Sequence, residues 1–173
     1  LPKSLDGLKA IFLYPVFGVF LTGMVMAVVN SPMAWVNKSL MAWLGAFENA
    51  NPLVLGVIVG CMCAFDMGGP VNKAAYVTGT ALLAQGNTTF MAGVSAACIA
   101  PPLITFVATT AFRKYYDEND RNAGLANLIL GSTHITEGAI PFAAKDPLRM
   151  LPTFMLGSSI AAILTYMRSE EHT

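Results

Sequence analysis

Charge is what this sequence has least of. Asp, Glu, Lys and Arg together supply 12% of its 173 residues, against roughly 25% in an ordinary soluble domain. With 55% hydrophobic residues, the chain lacks the charge to clothe a water-facing surface, and composition assigns it to lipid. Its ten basic and ten acidic residues cancel to a net charge of +0, which argues against a nucleic-acid partner, whose phosphates demand an excess of positive charge. The three cysteines, Cys61, Cys63 and Cys98, lie inside apolar runs. Cys-x-Cys without a nearby His or further Cys is a poor metal motif, so no metal site is expected and the thiols read as small buried hydrophobes. Low-complexity tracts are missing, as are an initiator Met and a signal peptide with a basic start. The chain is therefore expected to be a piece of a longer protein.

What is present is a series of long apolar runs. Residues 10–29 carry no charge and are long enough to cross a hydrocarbon core of ~30 Å as a helix. A turn is expected at Asn30 to Pro32, followed by a second helix over 33–47, where Trp35 and Trp43 suggest either an interfacial anchor or packing inside a bundle. Residues 53–65 are apolar but too short for a full span and fit a re-entrant or buried segment better. They run into Asp66-Met-Gly-Gly-Pro-Val-Asn-Lys73, where Gly68, Gly69 and Pro70 must break the helix and Pro70 can open the next one, to Ala84. Asp66, Asn72 and Lys73 fall near the tip of this hairpin, where Asp66 and Lys73 either form an ion pair or face a substrate.

Residues 90–112 form a further uncharged run, expected to cross with a kink at Pro101-Pro102. The hydrophilic stretch 113–121, RKYYDENDR, is expected to be a solvated loop. Residues 124–130 are short and apolar, and 151–167 form the last uncharged run. Basic residues concentrate at Lys3, Lys9, Arg113, Lys114 and Arg121, whereas Lys38 is alone between Asn30 and Pro52. The positive-inside rule then places the start and the 113–121 loop in the cytoplasm. That orientation requires 53–84 to dip in and return to the outer side. An apolar segment, a Gly/Pro break beside an acid and a second helix recur at 125–167, and paired interruptions of this kind point to a transport site. The expected fold is an all-α integral membrane protein, multi-pass, with two re-entrant or broken-helix hairpins.

The second break contains the residue with most chemistry. Glu137 is the only acid between Asp120 and Asp146, and a membrane-embedded acid is functional by default. Gly138 frees the backbone, Pro141 suits the first turn of a following helix, and Glu137 then sits where backbone donors are unpaired. A carboxylate there can accept hydrogen bonds from two sugar hydroxyls, in charge-assisted bonds roughly twice as strong as neutral ones. Two other readings stay open: Glu137 pairs with Lys145 or Arg149 and merely pins the loop, or Glu137 or Asp66 carries a coupling proton. His134 either donates to a sugar hydroxyl or caps a carbonyl.

Two segments, ITEGAIPFAAKDPLR (Ile135 to Arg149) and AFDMGGPVNKAAY (Ala64 to Tyr76), resemble the hallmark stretches of the fructose-type membrane component, IIC, of the bacterial phosphoenolpyruvate-dependent sugar phosphotransferase system. His134 and Lys145 depart from the usual residues of that family. The resemblance runs along the whole chain and implies the C-terminal half of a single IIC domain, without IIA or IIB. It implies a sugar permease of the bacterial inner membrane, a homodimer whose substrate, fructose or a related sugar, is phosphorylated during uptake. The phosphoryl group would come from a phosphocysteine on a cytosolic IIB domain charged by IIA, with no cofactor on the chain itself. It implies further that Glu137 contacts the sugar hydroxyls and that Asp66, Asn72 and Lys73 border the site. The site residues expected are thus Glu137, also as a possible base, with Thr136, His134, Gly138, Asp66, Asn72 and Lys73. A proton-coupled secondary transporter is the alternative function, and a non-transporting membrane subunit the plainest one.

Overall fold

A computed structural model describes residues 12–46 and 51–170. It contains seven α-helices among those residues and no strand: α1 (Tyr14–Gly45), α2 (Pro52–Phe65), α3 (Pro70–Ala84), α4 (Thr88–Ala111), α5 (Glu118–Ser132), α6 (Ile140–Lys145) and α7 (Pro147–Glu170). Short 3-10 turns cover Arg113–Tyr115 and Thr136–Ala139. The chain divides into two compact units, Leu1–Val36 and Asn37–Thr173. α1, α4 and α7 are long and apolar enough to cross a membrane, and α2 is a shorter apolar helix.

α1 corrects the expected turn at Asn30 to Pro32, because the helix continues through that point with Pro32 inside it. Proline removes one backbone hydrogen bond, but a chain in an apolar medium has nowhere else to satisfy the neighbouring amides and carbonyls, which favours keeping the helix. Trp35 and Trp43 on this helix are exposed. The stretch 113–121 is also more ordered than expected. Asp117 caps α5 by accepting a hydrogen bond from the Asp120 N–H at 2.7 Å, so the helix begins at Glu118 and the short segment expected at 124–130 is its second half. Acid at a helix N-terminus is favourable there.

The second unit is organised on α4. Along it, Phe90 accepts a hydrogen bond at its carbonyl from the Tyr166 hydroxyl of α7 (3.0 Å), and Ala97 accepts one from Ser158 (2.8 Å). Asn127 of α5 donates to Thr105 (2.7 Å), and Gly124 abuts Thr109. α7 therefore runs the length of α4, while α5 lies on its C-terminal half. α3 lies on its N-terminal half, with Gly79 facing Phe90, Met91 and Val94. α2 and α7 touch backbone to backbone. A Cβ on Gly56 would meet the Ile163 backbone at 2.8 Å, and one on Gly60 would overlap the backbone of Ser159. Such small-residue spacing lets helices approach where lipid offers no hydrophobic drive between them. The buried side chains form two clusters, one around Val59, Cys63, Phe90, Val94 and Tyr166, the other around Met67, Ala139, Phe142 and Phe154.

Candidate functional site

The two interruptions meet beside the middle of α4. At the first, Met67 (φ 41°) and Gly68 (φ 104°) turn the chain out of α2, and Pro70 starts α3. The Asp66 carboxylate folds forward and accepts the N–H groups of Val71 (2.7 Å) and Asn72 (2.9 Å). These are orphan donors of the new helix, and an anion at a helix N-terminus is stabilised by its dipole. Asp66 is thus a cap, and of the two alternatives for Asp66 and Lys73 the ion pair does not form: Lys73 has no carboxylate partner among the described residues. Asn72, buried to 7% exposure, donates to the Cys63 carbonyl at 2.7 Å and points at the Cys98 sulfur at 3.7 Å.

At the second interruption α5 ends in a Schellman motif. Ile135 N–H returns to the Leu130 carbonyl (2.9 Å) and His134 N–H to the Gly131 carbonyl (3.2 Å), and His134 adopts the left-handed conformation (φ 62°) that glycine usually fills. The left-handed region costs an ordinary residue about 1 to 2 kcal/mol. The next residues are tied down by the proline pair of α4. Pro102 has no N–H, so the Cys98 carbonyl four residues earlier loses its helical partner. The Thr136 hydroxyl, buried to 3%, supplies the missing hydrogen bond at 3.2 Å. Pro101 leaves the Ala97 carbonyl in the same condition, and Ser158 satisfies that one. On the other side of Glu137, the Gly138 carbonyl accepts from the Asn127 amide (2.9 Å), and Pro141 opens α6 as expected.

Glu137 is held between these two anchors with its carboxylate against the backbone of Gly68, where a Cβ would collide with Oε1. Neither cation proposed as its partner reaches it. Lys145 binds Asp120 and lies 3.7 Å from Asp117, and Arg149 is 3.6 Å from Asp146. The carboxylate instead borders a cavity of about 530 Å³, lined by Gly68, Asn72, Lys73 and Tyr76 on one side, Met91, Ser95 and Cys98 of α4, and Thr133 to Glu137 opposite. The volume lies within the ~300–1,000 Å³ of ordinary small-molecule sites. Of the residues nominated from sequence, Glu137, Thr136, His134, Asn72 and Lys73 line it, whereas Asp66 and Gly138 do not. No group of three or more His, Cys, Asp or Glu among the described residues is placed to hold a metal.

Comparison with known proteins finds relatives that align with nearly the whole chain. The chain is 45% identical over 166 residues, 95% of its length, to the PTS system fructose-specific EIIABC component of Bacillus subtilis. It is 44% identical over the same share of its length to the fructose permease IIC component of Bacillus amyloliquefaciens. The chain is homologous to the IIC part of fructose-type phosphotransferase permeases. It also matches the fructose-like permease IIC component 2 of Escherichia coli at 41% identity over 93% of its length. The chain spans 26%, 54% and 45% of these three relatives. No family model and no solved structure matches it.

Seven cavity residues of this IIC homologue are not among the site residues expected from sequence: Gly68, Tyr76, Met91, Ser95, Cys98, Thr133 and Ile135. Cys98 was read as a buried hydrophobe and is buried, yet it also forms part of the wall. Its position gave no cue, because only the packing of α3 and the 133–137 segment on α4 brings their residues to one place. Tyr76 lies one turn of α3 beyond Asn72 and Lys73, and that i, i+3 and i, i+4 spacing was the cue available.

Proposed function

We propose that this chain is part of one IIC-type membrane domain and forms the sugar-holding portion of a fructose-type permease. Glu137 grips the hydroxyls of fructose or a related sugar, supported by Asn72, His134 and the main chain around Thr136. The observation that carries this reading is the Glu137 carboxylate, unpaired with any cation among the described residues and bordering a cavity that Asn72, Lys73, Ser95, Thr133 and His134 also line. The same carboxylate, directly or through one water, accepts the proton of the hydroxyl that becomes phosphorylated. The phosphoryl donor in this scheme is a phosphorylated cysteine on a separate IIB domain. The relatives named EIIABC and EIIB'BC support IIB as the partner, and their names favour group translocation over the proton-coupled alternative.

The two helix-break-helix segments enter the bilayer, in this proposal, from opposite faces as re-entrant hairpins of an inner-membrane protein, and the domain works as a homodimer. The packing supports opposite entry. α3 lies along the N-terminal half of α4 and α5 along its C-terminal half, and both breaks reach α4 at Cys98, the middle of that helix. Midplane sites built from discontinuous helices are a recurring transporter solution. The test is the full-length permease carrying Glu137→Gln. Loss of phosphorylating uptake by at least a hundredfold, with the protein still inserted and folded, is expected; wild-type rates overturn the role.

A further inference from the structure

We propose that Lys73 is the anion-binding element of the cavity and takes up the charge of the phosphoryl group as it reaches the sugar. The inference rests on the sugar-phosphorylating reading of the site and extends it to a second ligand class, the phosphate monoester.

Three observations place a free cation there. Lys73 lines the same cavity as Glu137 and His134. Its nearest acid in the chain, Asp66, is turned away and committed to the Val71 and Asn72 amides at 2.7 and 2.9 Å, so the N-terminus of α3 already has its counter-charge and Lys73 does not. The other described lysine and arginine beside an acid at the 113–149 region, Lys145 and Arg149, are both spent on aspartates. A lysine left unpaired at membrane depth is costly unless it faces a cavity and an anion visits it. The only carboxylate among the described residues that line the cavity is Glu137, and in the proposed reaction it becomes neutral on taking the hydroxyl proton. A phosphoryl group then bears the negative charge.

The step balances on these groups. The sugar hydroxyl oxygen forms the new P–O bond, the P–S bond of the donor phosphocysteine breaks, its electron pair leaves with the donor thiolate, and the hydroxyl proton passes to Glu137. Lys73 neither gives nor takes a proton in this step. It compensates the non-bridging oxygens as a compact point charge, which is how lysine serves phosphate, and it holds the phosphorylated sugar after transfer.

The experiment measures binding of fructose and of the fructose 1- and 6-monophosphates to the full-length permease in detergent, as wild type, Lys73→Gln and Lys73→Arg. Lys73→Gln is expected to weaken binding of the better monophosphate at least tenfold more than it weakens binding of fructose, and Lys73→Arg to restore most of that difference. Equal weakening of both ligands, or an unchanged monophosphate affinity in Lys73→Gln, overturns the proposal while leaving the sugar site standing. Wild-type protein that binds neither fructose nor its phosphates overturns the sugar reading and this inference with it. Thermal melting of the Lys73→Gln variant near the wild-type temperature shows that its loss belongs to the charge and not to folding.

Discussion

The Thr136 hydroxyl donates to the backbone carbonyl of Cys98 across 3.2 Å, joining the loop that presents Glu137 to the midpoint of α4. That carbonyl is available only because Pro102 cannot donate back to it. The proline pair that reads in sequence as a kink is, in the folded chain, a pair of open acceptors, one used by the site loop and the other by α7.

Replacing Thr136 by Val keeps the shape and removes the donor. A buried carbonyl left without a partner costs about 1–3 kcal/mol, and the loop carrying Glu137 loses one of its two anchors. Thr136→Val is expected to lower the melting temperature of the detergent-solubilised permease and to weaken sugar binding, whereas Thr136→Ser retains both. Equal behaviour of Val and Ser would show that the hydroxyl does not hold the loop.

The α2 and α7 contact makes a second prediction. A methyl group on Gly60 meets the Ser158 carbonyl carbon at 2.7 Å and overlaps the Ser159 backbone, while Gly18 on α1 has nothing within 4 Å. Overpacking of a tight interface costs roughly 1–3 kcal/mol. Gly60→Ala should therefore melt several degrees below wild type and Gly18→Ala should not. Two indistinguishable melts would remove the case for backbone contact between these helices.

The surface link between α5 and α6 has its own pH signature. Asp117 is held below its ordinary carboxyl value of 3.8, first by the Asp120 N–H and then by Lys145. Lys145 is held above its ordinary 10.5, first by the Asp120 carboxylate and then by Asp117. A lowered acid stabilises the fold above its unfolded pKa and loses that effect as pH falls through the folded value; a raised lysine does so below its unfolded pKa and loses it as pH rises through the folded value. Stability should be flat between those limits, with a Lys145-dependent decline on the alkaline side that Lys145→Met abolishes. Both groups are exposed, so the effect is small and shrinks with salt. Melting curves against pH for the two proteins check it; an unchanged alkaline limb in Lys145→Met would refute the link.

Much of the candidate site was legible one residue at a time. Glu137 stood out as the only acid across a long interval, and Gly68, Gly69, Pro70, Gly138 and Pro141 announced the breaks through their backbone chemistry. The pairings were not legible. Asp66 and Lys73 are seven residues apart and opposite in charge, so an ion pair was the natural expectation, yet the amides of a new helix lie closer to Asp66 than the lysine head does. Lys145 was an equally natural partner for Glu137 until the N-terminus of α5 brought Asp117 and Asp120 to it.

The sequence alone determines that this is a helical membrane chain with two interruptions, because scarcity of charge, run length and Gly/Pro placement act locally. It also placed the chargeable residue of the second break. Only the tertiary structure decided that both breaks arrive at Cys98, that prolines at 101 and 102 create the acceptors that fix them, and that Pro32 bends nothing into a turn. These outcomes depend on which buried polar group lies within hydrogen-bond reach of which other. That distance is set by helix packing, which no local pattern encodes.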